Sequence, residues 1–255
     1  MRTRFIVSLL MVIALAFSIV STASADTGAT GSGNTFDPSK MTQADKDALA
    51  AKIKLVDSFM KTLAGKVSPD SVVTYQLAVG AGYQEPNNSD YNDYCGPAAS
   101  QVALSARTSS VPTLKAVAKA EYTVPYPPGP CSTGCGTNIG WVKNVLNTDL
   151  NTSYYVNGAA SSQTQFSSWL IWDIESGWSL ITLLSTKGMP GWTVIADHYV
   201  ATYQIIVNGA TLNTLGYVDT ASITAGHSGS YFNSSINPGT FWDWITNKKG
   251  YGQVW

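Results

Sequence analysis

Apolar positions along this chain repeat with a helical period in its first half and a strand period in its second. From Thr42 to about Lys66, the residues Leu49, Ile53, Val56, Phe59, Met60 and Leu63 recur at helical spacing. Thr42 stands where a cap is needed, Asp45 follows three residues on, and Gly65 closes the run, so one amphipathic helix is expected over 42–66. Val72 to Val79 alternate as a strand does until Gly80-Ala81-Gly82 interrupts them. A polar, turn-rich loop from Gln84 to Asp93 then leads into a small-residue apolar run ending near Ala106, a helix opened by Gly96 and Pro97. Leu114 to Ala120, Asn138 to Leu146 and Thr164 to Ser176 predict further helices, the last stopped by Gly177. Pro125, Pro127, Pro128 and Pro130 exclude helix and central strand between the first two of these and force an extended surface loop.

Beyond Gly177 the texture becomes β. Trp178 to Ser185 is an almost unbroken apolar run, as in a buried strand, and the strands His198 to Val207 and Leu215 to Val218 flank Asn208-Gly209, a strong hairpin signal. Phe241 to Thr246 predicts a short helix and Gln253-Val254-Trp255 a closing strand. Helices first and an antiparallel sheet after predict an α+β fold.

Composition changes the picture in one respect. Only 12% of residues are charged and the formal net charge is −1, which leaves no basic surface for nucleic acid. The N-terminus has a basic start at Arg2 and Arg4, an apolar stretch from Phe5 to Val20 and the small-residue site Ala23-Ser24-Ala25. That is a secretory signal peptide over 1–25, cleaved after Ala25, and its apolar stretch falls short of the roughly 20 residues a membrane span needs. The mature chain is therefore expected outside the cell with no stable membrane span. Residues 26–41 read as a flexible polar linker, and 67–255 as the main domain.

The chemistry centres on Tyr94-Cys95-Gly96-Pro97-Ala98. A cysteine at a helix N-terminus has its thiolate favoured by the helix dipole, and unpaired backbone N–H groups there can serve an oxyanion. Cys-Gly-Pro alone fits a buried structural cysteine or half of a disulfide equally well. The other two cysteines, Cys131 and Cys135, stand in Cys-Ser-Thr-Gly-Cys. If Cys95 stays free they are left to bridge each other, closing a short loop worth about 2 kcal/mol. Two cysteines without a nearby histidine do not make a zinc site.

A cysteine nucleophile needs a base, and the base an orienting group. Of the two histidines, His227 stands in Ala-Gly-His-Ser-Gly-Ser, a loop expected to hold an imidazole poorly, whereas His198 opens a strand. Asp219 ends the next strand of the hairpin, and antiparallel pairing brings it back beside His198. Taken alone, Asp219 also suits a turn.

Cys95-Gly96-Pro97-Ala98, a later strand opening His198-Tyr199-Val200 and another ending in Asp219 resemble the papain-like double-glycine leader peptidases of bacteriocin exporters, and more closely their stand-alone secreted relatives, the C-thirty-nine-like peptidases. The similarity runs from about Val72 to the C-terminus. It implies a papain-like fold with the cysteine helix packed on an antiparallel sheet, a triad of Cys95, His198 and Asp219, and no metal or organic cofactor. The family's oxyanion glutamine falls where this chain has Ser89, so the role passes to Gln84, returned by a longer loop. Asp197 and Thr220 replace the Gly and Pro that often flank the family's His and Asp. The expected function is a secreted cysteine peptidase acting on peptide or protein. Related amidase or acyl-transfer chemistry stays open. So does a silent module binding peptide or cell-wall material, with Trp141, Trp169, Trp172, Trp178 and Trp192 as candidate contacts. For a peptidase the helix over 42–66 has two readings, a packed helix or an inhibitory pro-segment.

Overall fold

Thr42 caps helix α1 (Gln43–Lys66): its Oγ1 accepts the Asp45 N–H at 3.1 Å, and the hydroxyl donates back to the Asp45 carboxylate at 2.8 Å. This reciprocal pair satisfies one of the amides that every helix start leaves open. The computed structural model describes residues 35–132 and 134–255; the expected signal peptide and the first part of the expected linker lie outside them. Within that range the chain is α+β, with six α-helices and one antiparallel sheet of seven strands.

The elements follow in the order β1 (Val72–Gln76), α2 (Cys95–Ser105), α3 (Leu114–Ala120), α4 (Ile139–Asp149), β2 (Asn157–Gly158), α5 (Gln163–Glu175), β3 (Ile181–Ser185), β4 (Asp197–Asn208), β5 (Thr211–Asp219), β6 (Phe232–Ile236), α6 (Pro238–Thr246) and β7 (Gly252–Val254). Thr113, Asn138, Ser162 and Asn237 supply side-chain caps to α3, α4, α5 and α6. Helix α2 opens on Tyr94 without one.

The long strand β4 is the spine of the sheet. Spatial order runs β2, β7, β3, β4, β5, β6, and β1 continues the β3 edge by pairing with the far half of β4, Val72 opposite Asn208 and Gln76 opposite Gln204. Side chains alternate along β4. Tyr199, Ala201 and Tyr203 pack with Ala99, Val102 and Ala103 of α2 and with Ile139, Val142 and Leu146 of α4. Val200 packs with Phe166, Trp169 and Leu170 of α5 and with Phe241 and Ile245 of α6. A bulge between Thr202 and Gln204 then reverses the parity, so that Ile205 and Val207 join the face of Val200. The sheet is thus covered by helices on both faces, with α2 and α4 on one and α5 and α6 on the other.

Helix α1 belongs to this body through a buried cation. Lys52 Nζ lies 3.4 Å from Asp173 Oδ1 of α5, donates to the Tyr154 carbonyl at 3.1 Å and sits 3.6 Å from the centre of the Tyr154 ring. Burial lowers the Lys52 ammonium to about 8 even though Asp173 pulls the other way. The described end of the expected linker is also fixed: Phe36 is buried, and its N–H donates to the Gly250 carbonyl at 2.8 Å. No helix among the described residues is long and apolar enough to cross a membrane.

Candidate active site

Cys95 is the first residue of α2 and is buried, 5% exposed. Gly96 permits this placement, because a Cβ there would meet Thr137 at 2.7 Å. The tight start of α2 against residue 137 needs the missing side chain. Ahead of it, Tyr94 is fully buried and its hydroxyl donates to the Pro125 carbonyl at 2.8 Å, which ties the proline-rich loop to the residue before the cysteine. The helix dipole argues for a thiol drawn downward, but burial dominates. It pushes the Cys95 thiol well above its ordinary value, and the charges of Glu85 and Asp93 act in the same sense. The backbone N–H groups of Tyr199 and Gly96 oppose them. The resting thiol is therefore neutral.

His198 and Asp219 meet across the hairpin. Asp219 stands directly opposite Val200, so His198, two residues earlier, shares its face and reaches it on the diagonal. His198 Nε2 lies 2.9 Å from Asp219 Oδ1, with His198 2% exposed and Asp219 not at all. The second carboxylate oxygen accepts the Trp192 indole N–H at 2.9 Å, and the Ala221 N–H adds a bond to Oδ1 at 3.2 Å. Burial alone would raise Asp219, but the His198 charge and hydrogen bond, the His227 charge and the Trp192 bond outweigh it and hold the carboxyl below its usual value.

His227 departs from its expectation. Its loop is packed, and the ring is 2% exposed with Nε2 3.4 Å from Asp219 Oδ2. Trp192 lies against both imidazoles, its ring centre 4.7 Å from that of His198 and 5.4 Å from that of His227. The loop is fixed by a close approach of Gly191 and Gly229, where an added Cβ on Gly191 would meet Gly229 at 2.4 Å. Neither hydrophobic period nor hairpin signal encodes such a contact. The Gly-His-Ser-Gly spacing that reads as flexibility is what lets the two backbones touch.

Gln84 is exposed, and its amide Nε2 donates one hydrogen to the Ala221 carbonyl at 2.8 Å, which ties it to the segment past β5. The next residue, Glu85, turns inward instead. Its N–H donates to the Thr220 carbonyl at 2.8 Å, its side chain accepts the Ser222 N–H at 3.3 Å, and it is 3% exposed. Asp93, Cys131 and Cys135 bring their ligand atoms within 4.8 Å of one another, but the two sulfurs are joined as a disulfide and offer no thiolates to a metal. Cys95 is the free cysteine.

No family model matches the chain, and comparison with curated proteins gives no match.

Proposed function

We propose that the chain is an exported cysteine peptidase of papain-like fold. One observation carries this reading: a buried His198–Asp219 couple at the start of β4 accompanies the one free cysteine, at the uncapped N-terminus of α2. Cys95 packs with Tyr199 on one face of β4, whereas His198, one residue earlier, shares the other face with Val200, and no hydrogen bond joins Cys95 and His198 in the resting structure. The reaction therefore requires the His198 ring to swing round the start of β4, and since Asp219 engages Nε2, Nδ1 is the nitrogen that would exchange the proton.

On this reading the thiol is activated only as it reacts. His198 Nδ1 takes the Sγ proton while Sγ attacks the peptide carbonyl carbon; the C–N bond then breaks, and the imidazolium gives its proton to the leaving amine. Water, deprotonated by His198, hydrolyses the thioester and regenerates thiol and imidazole. Asp219 fixes the tautomer and steadies the imidazolium. The resemblance of Cys95-Gly96-Pro97-Ala98 and His198-Tyr199-Val200 to the C-thirty-nine-like peptidases supports the same assignment. An amine acceptor in place of water would make the enzyme an acyl transferase.

A second reading, a silent cleft that binds peptide, draws on the burial of Cys95 and on the neutral thiol that burial imposes. A peptide carrying a thiol-reactive group separates the two. The peptidase reading expects a covalent adduct on Cys95, absent in Cys95→Ala and strongly slowed in His198→Ala. A peptide that binds without labelling, or labels equally in His198→Ala, overturns it in favour of the binding module.

A further inference from the structure

The interior of this site contains a carboxyl group that the Cys-His-Asp scheme leaves unused. Glu85 is held at both ends of its residue by the segment just past Asp219, through its own N–H to Thr220 and through Ser222 N–H to Oε2. Its other oxygen, Oε1, is buried without a hydrogen-bond partner. The carboxyl also feels the Tyr94 N–H at the mouth of α2, and Cys95 feels the carboxyl in turn. Tyr94 precedes Cys95, so the Glu85 carboxyl borders the mouth of α2. A buried polar atom with no partner calls for an explanation, and a role in catalysis is one of them.

Resting on the assignment of Cys95 as nucleophile, we propose that Glu85, as a neutral carboxylic acid, is the side-chain oxyanion donor of this site, its O–H turned toward the oxygen that becomes negative when Cys95 attacks. No proton need leave the group, since it lends a hydrogen bond as the carbonyl π electrons move onto oxygen and withdraws it when the tetrahedral species collapses. The charged surroundings agree. Asp219 at the end of β5, Asp93 before α2 and any thiolate at Cys95 all oppose a second negative charge here, and His198 faces Asp219. Burial is the largest influence and raises Glu85 to about 8, so the acid is the resting form at neutral pH. An ionised Glu85 would repel the oxyanion, which makes the donor self-cancelling in alkali. A glutamine has no such limit.

The test uses a leucine-containing tripeptide aldehyde, which forms a tetrahedral adduct on a cysteine nucleophile without turnover, and measures its affinity as a function of pH. In the native protein the affinity should fall about tenfold for each pH unit above about 8. Glu85→Gln should lose that alkaline fall. Glu85→Ala should bind at least about 100-fold more weakly at neutral pH, the loss typical of one oxyanion donor. If Glu85→Ala does not fold, as judged by circular dichroism, the Glu85→Gln profile decides alone. Superimposable profiles for the native protein and Glu85→Gln would overturn the donor role while leaving the peptidase reading intact. Failure of every variant to bind the aldehyde, with iodoacetamide still alkylating Cys95, would overturn both.

Discussion

Asp219 holds His198 with one carboxylate oxygen and Trp192 with the other, each at 2.9 Å, and His227 stands 3.4 Å from the second of these. One buried carboxylate thus orders three rings. Its charge is balanced from two sides, which keeps the group ionised in a place where burial would otherwise neutralise it. Substitutions around it should therefore be graded by which oxygen loses its neighbour.

His198→Ala removes the proposed base and should lower turnover of a peptide substrate by about 100-fold or more, the usual contribution of a positioned acid–base group. His227→Ala should cause a smaller loss, because it strips charge from Asp219 Oδ2 without touching the proton path. Steady-state kinetics on both variants tests this order; equal losses would place both imidazoles in the proton path.

Trp192→Phe keeps the ring between the two imidazoles but deletes the N–H that serves Asp219 Oδ2. A buried acceptor left short of a donor costs about 1–3 kcal/mol. The variant should melt at lower temperature than the native protein. It should also show Asp219 protonating at higher pH, seen as an acid limb of the rate profile displaced upward. Sign follows from the carboxyl: held below its ordinary value, it contributes stability that is present above that value and lost as pH falls through the folded one.

The contrast between what the sequence discloses and what it hides follows the range of the interactions. Cys95 at a helix mouth is legible because Gly96 and Pro97 act on the residues beside them. Asp219 beside His198 is legible because Asn208-Gly209 sets a hairpin whose arms must run back past each other. Strand β6 is hidden because Phe232-Asn233-Ser234-Ser235-Ile236 has little apolar alternation, and β2 because two residues carry no period. Which of Gln84 and Glu85 turns inward depends on how that segment lies along Thr220, Ala221 and Ser222, a contact 137 positions away in sequence for both Gln84 with Ala221 and Glu85 with Ser222. No local pattern contains that choice.

Thiol titration of the unfolded, unreduced protein should find one free thiol per chain, and peptide mapping should place it at Cys95 with Cys131 linked to Cys135. A bridge from Cys95 to either of the others would remove the nucleophile and with it the proposed function.

Lys52 decides whether α1 is separable. Lys52→Ala leaves Asp173 buried without its cation, and breaking one side of a buried pair costs about 3–5 kcal/mol. Lys52→Met with Asp173→Leu, which removes both charges and keeps the volume, should recover most of the loss. Thermal melts of the single and double variants check this. If Lys52→Ala melts as the native protein does, α1 is only loosely attached and regains its reading as a removable pro-segment.

Glu121 offers a test of buried acidity away from the reacting atoms. It is fully buried, and burial raises its carboxyl to about 8; the Ser100 hydroxyl, which donates to Oε1 at 2.5 Å, lowers it and Asp149 raises it further. The folded chain therefore keeps a proton here that the unfolded chain releases near the ordinary value of 4.5. By linkage, the stabilisation is fully present below about 4.5 and is lost as pH rises through about 8. Glu121→Gln, which cannot ionise, should flatten this part of the dependence of melting temperature on pH. Glu85→Gln should flatten it in the same sense, since Glu85 is raised to a similar value by burial. Only Glu85→Gln should also move the pH profile of aldehyde binding at Cys95, because Glu121 lies against Ser100 in the body of α2 and not at its mouth. A Glu121→Gln curve parallel to that of the native protein would mean that this carboxyl is already ionised in the fold.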